Sequence, residues 1–338
     1  MLGHAPMPGL GPLLTDVRSK PPVINLSSSY SASGKTNLLY LLVASIVLPT
    51  PCNGKEQAIA WIDADGRFSA ARLYTVLSNH LSKSEGEEKD AILSEALKHI
   101  HVFRPQSSLQ VLVTLRELPE YLLGSSDLPP QLAKHPSINR SLGLLVVDSA
   151  TAFYWQDRSD AELARLESFE RGSSSATAPR PPKAADVIST LKQLQSFFDC
   201  TVIYTSTSSS SSSMTATARP PSSHSAAHAT TAPSIHGPLR LSPWAASATL
   251  NLQMSRVSVP QFVAHMGLET CRREQTARLK AAQAGRFAVA LDWGLAETWA
   301  PSVREAVARV SGGMGGFGVR ITGEGVALEE AQGIESLE

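Results

Sequence analysis

Apolar positions along the first two thirds of the chain fall into two alternating kinds of run. Short unbroken runs predict strands over Val23 to Leu26, Ala58 to Asp63, Leu142 to Asp148 and Thr201 to Thr205, with a shorter one over Ile100 to Phe103. Stretches with helical spacing lie between them, over Lys35 to Leu48, Phe68 to Leu81, Leu109 to Leu123 and Ala184 to Phe198. In the last of these, Val187, Leu191, Leu194 and Phe198 share one helical face. Strands alternating with helices predict crossover units and a parallel sheet. Strands that are apolar throughout predict helices on both sheet faces. Further strands are expected over Ala248 to Met254, Arg286 to Leu291 and Phe317 to Ile321.

Two stretches break the alternation. Arg171 to Pro182 (RGSSSATAPRPP) has the composition of a linker. Thr205 to Pro243 contains an unbroken serine run, Ser208 to Ser213, then Thr, Ala, Pro and His. Such sequence cannot bury enough apolar surface to offset chain entropy, so disorder is expected. Residues 1–22 are Gly- and Pro-rich and too few for a domain, so a flexible segment is expected. The expected organisation is one core over 23–204 and 244–326. A Ser/Pro-rich loop at 171–183 and an insert at 205–243 interrupt it, and a tail follows at 327–338.

Composition narrows the function classes. Hydrophobic residues make up 42% of the 338, which excludes wholesale disorder. Lys plus Arg and Asp plus Glu are each 30, so the formal net charge is zero. That excludes a strongly basic, autonomous nucleic-acid binder; any DNA contact must be local or shared with partners. Cys52, Cys200 and Cys271 are too dispersed for a disulfide framework or a CxxC site, which fits a reducing compartment. The longest apolar run, Leu38 to Leu48, is about half of a membrane span and reads as a buried helix. The segment MLGHAPMPGLGPLL lacks the continuous apolar stretch and positive flank of a signal peptide, so a soluble intracellular protein is expected.

The chemistry concentrates in three places. Ser29-Tyr30-Ser31-Ala32-Ser33-Gly34-Lys35-Thr36 lies between a predicted strand and an apolar helix, the context a phosphate-binding loop requires. Backbone N–H groups at a helix N-terminus would face phosphate oxygens. Lys35 would supply a point charge to the β- and γ-phosphates of ATP, and the Thr36 hydroxyl would ligate Mg2+. The pattern asks for Gly where this chain has Ser29, which matters if the position needs a positive φ. Asp148, at the end of the run Leu144 to Val147, supplies a second element that could hold the Mg2+ shell. The third is Trp61-Ile62-Asp63-Ala64-Asp65-Gly66, where Asp65 is the candidate general base and Asp63 reads instead as structural. The competing reading of this third element is an ordinary strand-end turn.

These elements, in this order, resemble the core of RecA-type eukaryotic recombinase paralogues. LLVVDSATAFYWQDR (Leu144 to Arg158) and WIDADGRFSAARL (Trp61 to Leu73) carry the resemblance most specifically. VRITGEGV (Val319 to Val326) is similar to the family's F-x-I-x-x-D-G-V ending. The resemblance implies a RecA-like ATPase core: a mostly parallel central sheet, helices on both faces and an antiparallel C-terminal extension. It also implies partners of the same fold, single-stranded or branched DNA met directly or through the complex, a nuclear location, and a role in double-strand break repair by homologous recombination.

The departures from the family carry information too. Filament-forming recombinases have Glu where this chain has Asp65, one methylene shorter, so weak or no ATP hydrolysis is expected. They carry a γ-phosphate-sensing Gln where this chain has Ser206-Thr207. Their DNA-binding loops correspond to 159–183 and 206–243, which here hold few basic residues. Two functions stand: an adaptor in a multi-subunit recombinase-paralogue complex, or an autonomous DNA-dependent ATPase. A GTPase lacks support, with no NKxD, and a nucleotide kinase would need a basic lid.

Two further features have competing readings. Phe153, Tyr154 and Trp155 could stack bases or meet a partner, or pack at the core and its rim. Arg272, Arg273, Arg278 and Lys280, a basic cluster on a helix or loop, could contact phosphates, or form a solvated face interrupted by Glu274. The nine histidines show no metal-ligand spacing.

Overall fold

The structure is a computed structural model. It describes residues 21–81, 86–124, 135–170, 183–207, 242–259, 262–263, 265–292, 301–310 and 315–329. The expected N-terminal segment, Ser/Pro-rich loop, low-complexity insert and C-terminal tail lie largely outside these residues.

The apolar runs become strands of one sheet. Its members are β1 (Val23–Ser28), β2 (Ala58–Asp63), β3 (Ile100–Phe103), β4 (Leu142–Asp148), β5 (Thr201–Thr207), β6 (Leu250–Arg256), β7 (Arg286–Leu291), β8 (Gly316–Ile321) and β9 (Val326–Glu329). Their order is β3-β2-β4-β5-β1-β6-β7-β8-β9. Neighbours from β3 to β6 pair in parallel. The pairs β6–β7, β7–β8 and β8–β9 are antiparallel. The architecture is the RecA-like one that the resemblance implies.

The helices are α1 (Lys35–Val47), α2 (Ala70–His80), α3 (Glu87–Lys98), α4 (Ser108–Leu123), α5 (Tyr154–Glu170), α6 (Ala184–Phe198), α7 (Pro243–Ser247), α8 (Leu268–Gln283) and α9 (Pro301–Val310). Alternating strand residues feed two cores. Ile59, Trp61, Leu144, Val146 and Ile203 pack under α1, α2 and α3. Ala60, Ile62, Leu145, Val147, Val202 and Tyr204 pack under α4, α6 and α7. Each large apolar side chain so buried contributes about 1.5–3 kcal/mol. Helix α1 is buried nearly all round, which is why its sequence is an apolar run rather than a stripe. Ser69 and Ser107 cap α2 and α4, accepting from Arg72 N and Gln110 N at 3.2 Å each.

Several elements depart from the expected boundaries. β5 continues through Ser206 and Thr207, and β9 adds three residues expected in the tail. Residues 159–170, expected in a loop, are helical as the second part of α5. No residue of α8 is fully buried, so no apolar stripe marked it.

A histidine cluster closes the β3 edge. His99 Nδ1 and His101 Nε2 both lie 2.8 Å from Ser137 Oγ. One hydroxyl has one proton, so it donates to one ring and accepts from the other. Tyr121 Oη meets His101 Nδ1 at 3.2 Å, His135 lies against His101 with ring centroids 4.5 Å apart, and Glu95 meets His99 Nε2 at 3.2 Å. Burial, and then the neighbouring His135 and His99, push His101 down from 6.5 to about 4. The folded state therefore favours neutral His101. Its stabilisation is complete above pH 6.5 and is lost as pH falls from 6.5 towards 4. The loss reaches at most about 3 kcal/mol, the shift converted at about 1.4 kcal/mol per unit. Urea melts at pH 7.5 and 4.5 are expected to differ in this direction, with His101 contributing up to this much beside the likewise lowered His80 and His135, and His101→Gln is expected to reduce the difference. An unchanged pH slope in His101→Gln would place the sensitivity elsewhere.

Candidate functional site

The connection leaving β1 crosses to β2 on one side of the sheet, while β6 lies on the other, so the strand order reverses beside β1. A crevice opens there at the carboxyl ends of the parallel strands. It encloses about 1600 Å3 and is lined by residues of the loop before α1, by the turn after β2, by the ends of β4 and β5, and by Asn251, Leu252 and Gln253 of β6.

The loop is built by backbone conformation as much as by side chains. Gly34 has φ +88°, and a Cβ there would meet Ile321 Cδ1 at 2.6 Å and Met254 Cε at 2.8 Å. Ala32 has φ +58°, whereas Ser29 is not among the positive-φ positions. The missing first glycine therefore costs no backbone strain. Lys35 Nζ donates to Ser28 Oγ, and to Ser33 Oγ at 3.4 Å. Its neighbours within bonding distance are thus hydroxyls rather than carboxylates. Burial pushes the Lys35 amine below its ordinary value, against the pull of Asp148 and Asp65 and with the help of Arg67. An amine in this state gains from an anion.

Asp148 faces it from the end of β4. Thr36 Oγ1 donates to Oδ2 at 2.8 Å, and Thr205 Oγ1 donates to Oδ1 at 2.6 Å. Burial raises the Asp148 carboxyl; the two threonine hydrogen bonds pull it back down, and Asp65 and Asp63 add to the rise. A hydroxyl beside a buried carboxylate is a donor set suited to a hydrated divalent cation. Lys35, Thr36 and Asp148 thus fit a nucleotide phosphate group with Mg2+.

The two carboxylates after β2 have separate duties. Asp63 is buried and accepts from Arg67 N at 2.9 Å, Phe68 N at 3.2 Å and Arg104 Nε at 3.1 Å. It is structural. Below the turn, Trp61 stacks on Tyr40 with centroids 5.3 Å apart, and Tyr40 Oη accepts from Ser69 N at 2.8 Å. Asp65 lines the crevice, and its backbone N donates to the Asp148 carbonyl at 3.3 Å. Its side chain pairs with Arg67 Nε at 3.7 Å.

Other partners come from far along the chain and gave no sequence signal. Asn25 Nδ2 donates to Asn251 Oδ1, and Ser206 Oγ donates to Asn25 Oδ1, each at 2.8 Å and buried. Ser206, at the place of the family's sensor glutamine, is therefore turned into the sheet. Arg72 donates to Asn37 Oδ1 at 2.9 Å, Gly323 O at 2.7 Å and Thr322 O at 2.6 Å, which ties the VRITGEGV segment to α1.

The aromatic run divides. Phe153 packs on the second core, while Tyr154 and Trp155 are exposed at the crevice mouth, so core-and-rim packing describes only part of it. In α8, Arg272 pairs with Glu269 at 3.2 Å on an exposed face, as the solvated reading expects, whereas the Arg278 side chain is largely buried, paired with Glu274 at 2.5 Å and 4.4 Å over the Phe262 ring. Among the described residues, no group of three or more His, Cys, Asp or Glu could hold a metal, and no helix is long and apolar enough to cross a membrane.

This chain is 37% identical over 126 residues to the DNA repair protein XRCC2 of Mus musculus, across 37% of its own length and 39% of that protein. Over that stretch the chain is XRCC2-like. It is also 26% identical over 178 residues to the DNA repair protein XRCC2 homolog of Arabidopsis thaliana, across 44% of its length and 45% of that protein. The match thus spans less than half the length of these curated relatives. No family model matches the chain.

Proposed function

We propose that the chain is an ATP-binding recombinase paralogue. It acts in the nucleus as an adaptor within a complex of related paralogues, assisting recombinase filament assembly during double-strand break repair by homologous recombination. The observation that carries this reading is Lys35, hydroxyl-bonded and partly buried, lining one crevice with Gly34 and the Thr36–Asp148 pair. Similarity to two DNA repair proteins supports the setting.

In this reading Lys35 and the N–H groups of residues 29–34 hold the phosphates, and Thr36 and Asp148 hold Mg2+. Bound ATP with Mg2+ supplies a compact anion that neutralises the amine and links the loop to β4. The chain's own residues favour holding over hydrolysing. Asp65 is one methylene shorter than the glutamate of the filament-forming family, and Ser206 is engaged with Asn25. Binding without turnover stabilises the fold or an interface by linkage. Direct or shared contact with single-stranded or branched DNA belongs to the same proposal.

The second reading, an autonomous DNA-dependent ATPase, draws on the position of Asp65 in the crevice wall. ATP binding and turnover by the purified chain, with and without single-stranded DNA, separates the two. Binding with negligible turnover is expected, together with co-purification with a recombinase paralogue. Turnover that rises with DNA and disappears in Lys35→Ala would replace the adaptor with the motor.

A further inference from the structure

Among the described residues, the cations lining the crevice are Lys35, Arg67 and Arg158. Arg158 is engaged at the mouth, 5.8 Å over the Trp155 ring. Arg67 spans the two halves of the phosphate site. Its Nη1 donates to Ser31 Oγ of the loop at 3.1 Å, and its Nε meets Asp65 Oδ2 at 3.7 Å. Its backbone N is fixed on buried Asp63 at 2.9 Å, so the turn anchors the residue while its side chain stays largely exposed.

We propose that Arg67 is a phosphate-contacting residue of this chain, which leaves Asp65 to engage the terminal phosphate of a bound nucleoside triphosphate. The argument is a comparison of partners. An exposed pair at 3.7 Å holds its arginine weakly. Arginine with phosphate forms charge-assisted, bidentate hydrogen bonds, among the strongest a protein surface makes. A triphosphate with Mg2+ still carries net negative charge, and the loop itself supplies only Lys35. Ser31, already in contact with Arg67, belongs to that loop, so the exchange requires a side-chain movement and no backbone change. Arg67 thereby distinguishes triphosphate from diphosphate, and its departure frees the Asp65 carboxylate. This inference rests on the phosphate-loop reading proposed above.

The test is the affinity of the full chain for fluorescent ADP and for a non-hydrolysable ATP analogue, each with Mg2+. Arg67→Ala is expected to weaken the analogue about tenfold or more and ADP by less than about threefold. Arg67→Lys is expected to recover part of the loss, and Asp65→Asn, which releases Arg67, to tighten the analogue severalfold. The Arg67 side chain is exposed, so these variants are expected to melt with the wild type. Equal losses for both nucleotides, or none, would overturn the inference while leaving the loop reading intact. A wild-type chain that binds neither nucleotide would overturn both.

Discussion

Gly34→Val is expected to destabilise the protein by about 2–4 kcal/mol and to abolish nucleotide binding. Two effects add. The backbone at Gly34 has φ +88°, where a β-branched residue is strained. A Cβ would also fall 2.6 Å from Ile321 Cδ1, 2.8 Å from Met254 Cε and 3.2 Å from Phe287 Cδ1. The first two are ends of flexible side chains and can give way, whereas the Phe287 ring, packed in the first core, yields less. Gly34→Ala carries the backbone strain with the smallest possible clash, and about half the cost is expected of it. Urea unfolding of the two variants isolates what the valine γ-methyls add to the strain and Cβ contacts that both share. If alanine costs nothing, β6, β7 and β8 do not press on the loop as described. The outcome matters for function because the same contacts join the antiparallel C-terminal strands to the phosphate site.

Legibility of the fold followed burial. The bounds of β4 and β7 match the expected strands because each is a short apolar run, and α6 matches because its core face repeats at helical spacing. Helix α8 reads in the sequence as either helix or loop, because none of its residues is fully buried and hydrophobic pattern has little to report. The site divided the same way. Gly34, Lys35 and Thr36 are contiguous and therefore visible, and Asp148 ends a recognisable strand. Asp65 is the candidate base in the sequence and Asp63 the structural alternative, but the physical ground for separating them was not visible. They are two residues apart, and the chain turns between them, so only the structure shows one buried under Arg104 and the other in the crevice. The Asn25–Asn251 and Arg72–Thr322 contacts join residues 226 and 250 positions apart, and no local pattern encodes such pairs. Arg67 gave no sign of its bridging place in the sequence, because its Ser31 partner is 36 positions away.

Lys35→Ala is expected to lower affinity for ATP with Mg2+ by about a hundredfold or more, and to leave the melting midpoint unchanged or slightly raised. The binding loss follows from charge. Hydrogen bonds to charged groups are worth about 1.5–3 kcal/mol each, and the amine can donate more than one to a phosphate group. The stability effect has the opposite sign because the folded protein holds this amine at a disadvantage. Burial pushes it below its ordinary value, and its bonded neighbours are the Ser28 and Ser33 hydroxyls. Removing it relieves that desolvation, a trade between stability and binding often found at functional sites. Lys35→Arg keeps the charge but not the compact ammonium, so it is expected to restore little binding. Equilibrium dialysis with labelled ATP, beside a urea melt, reads both quantities on one preparation. Full binding by Lys35→Ala would mean that phosphate is held elsewhere. Loss of the fold together with binding would make Lys35 a structural link between β1 and α1. Loss of binding alone is the result that sets it apart from Gly34, whose replacement is expected to cost both.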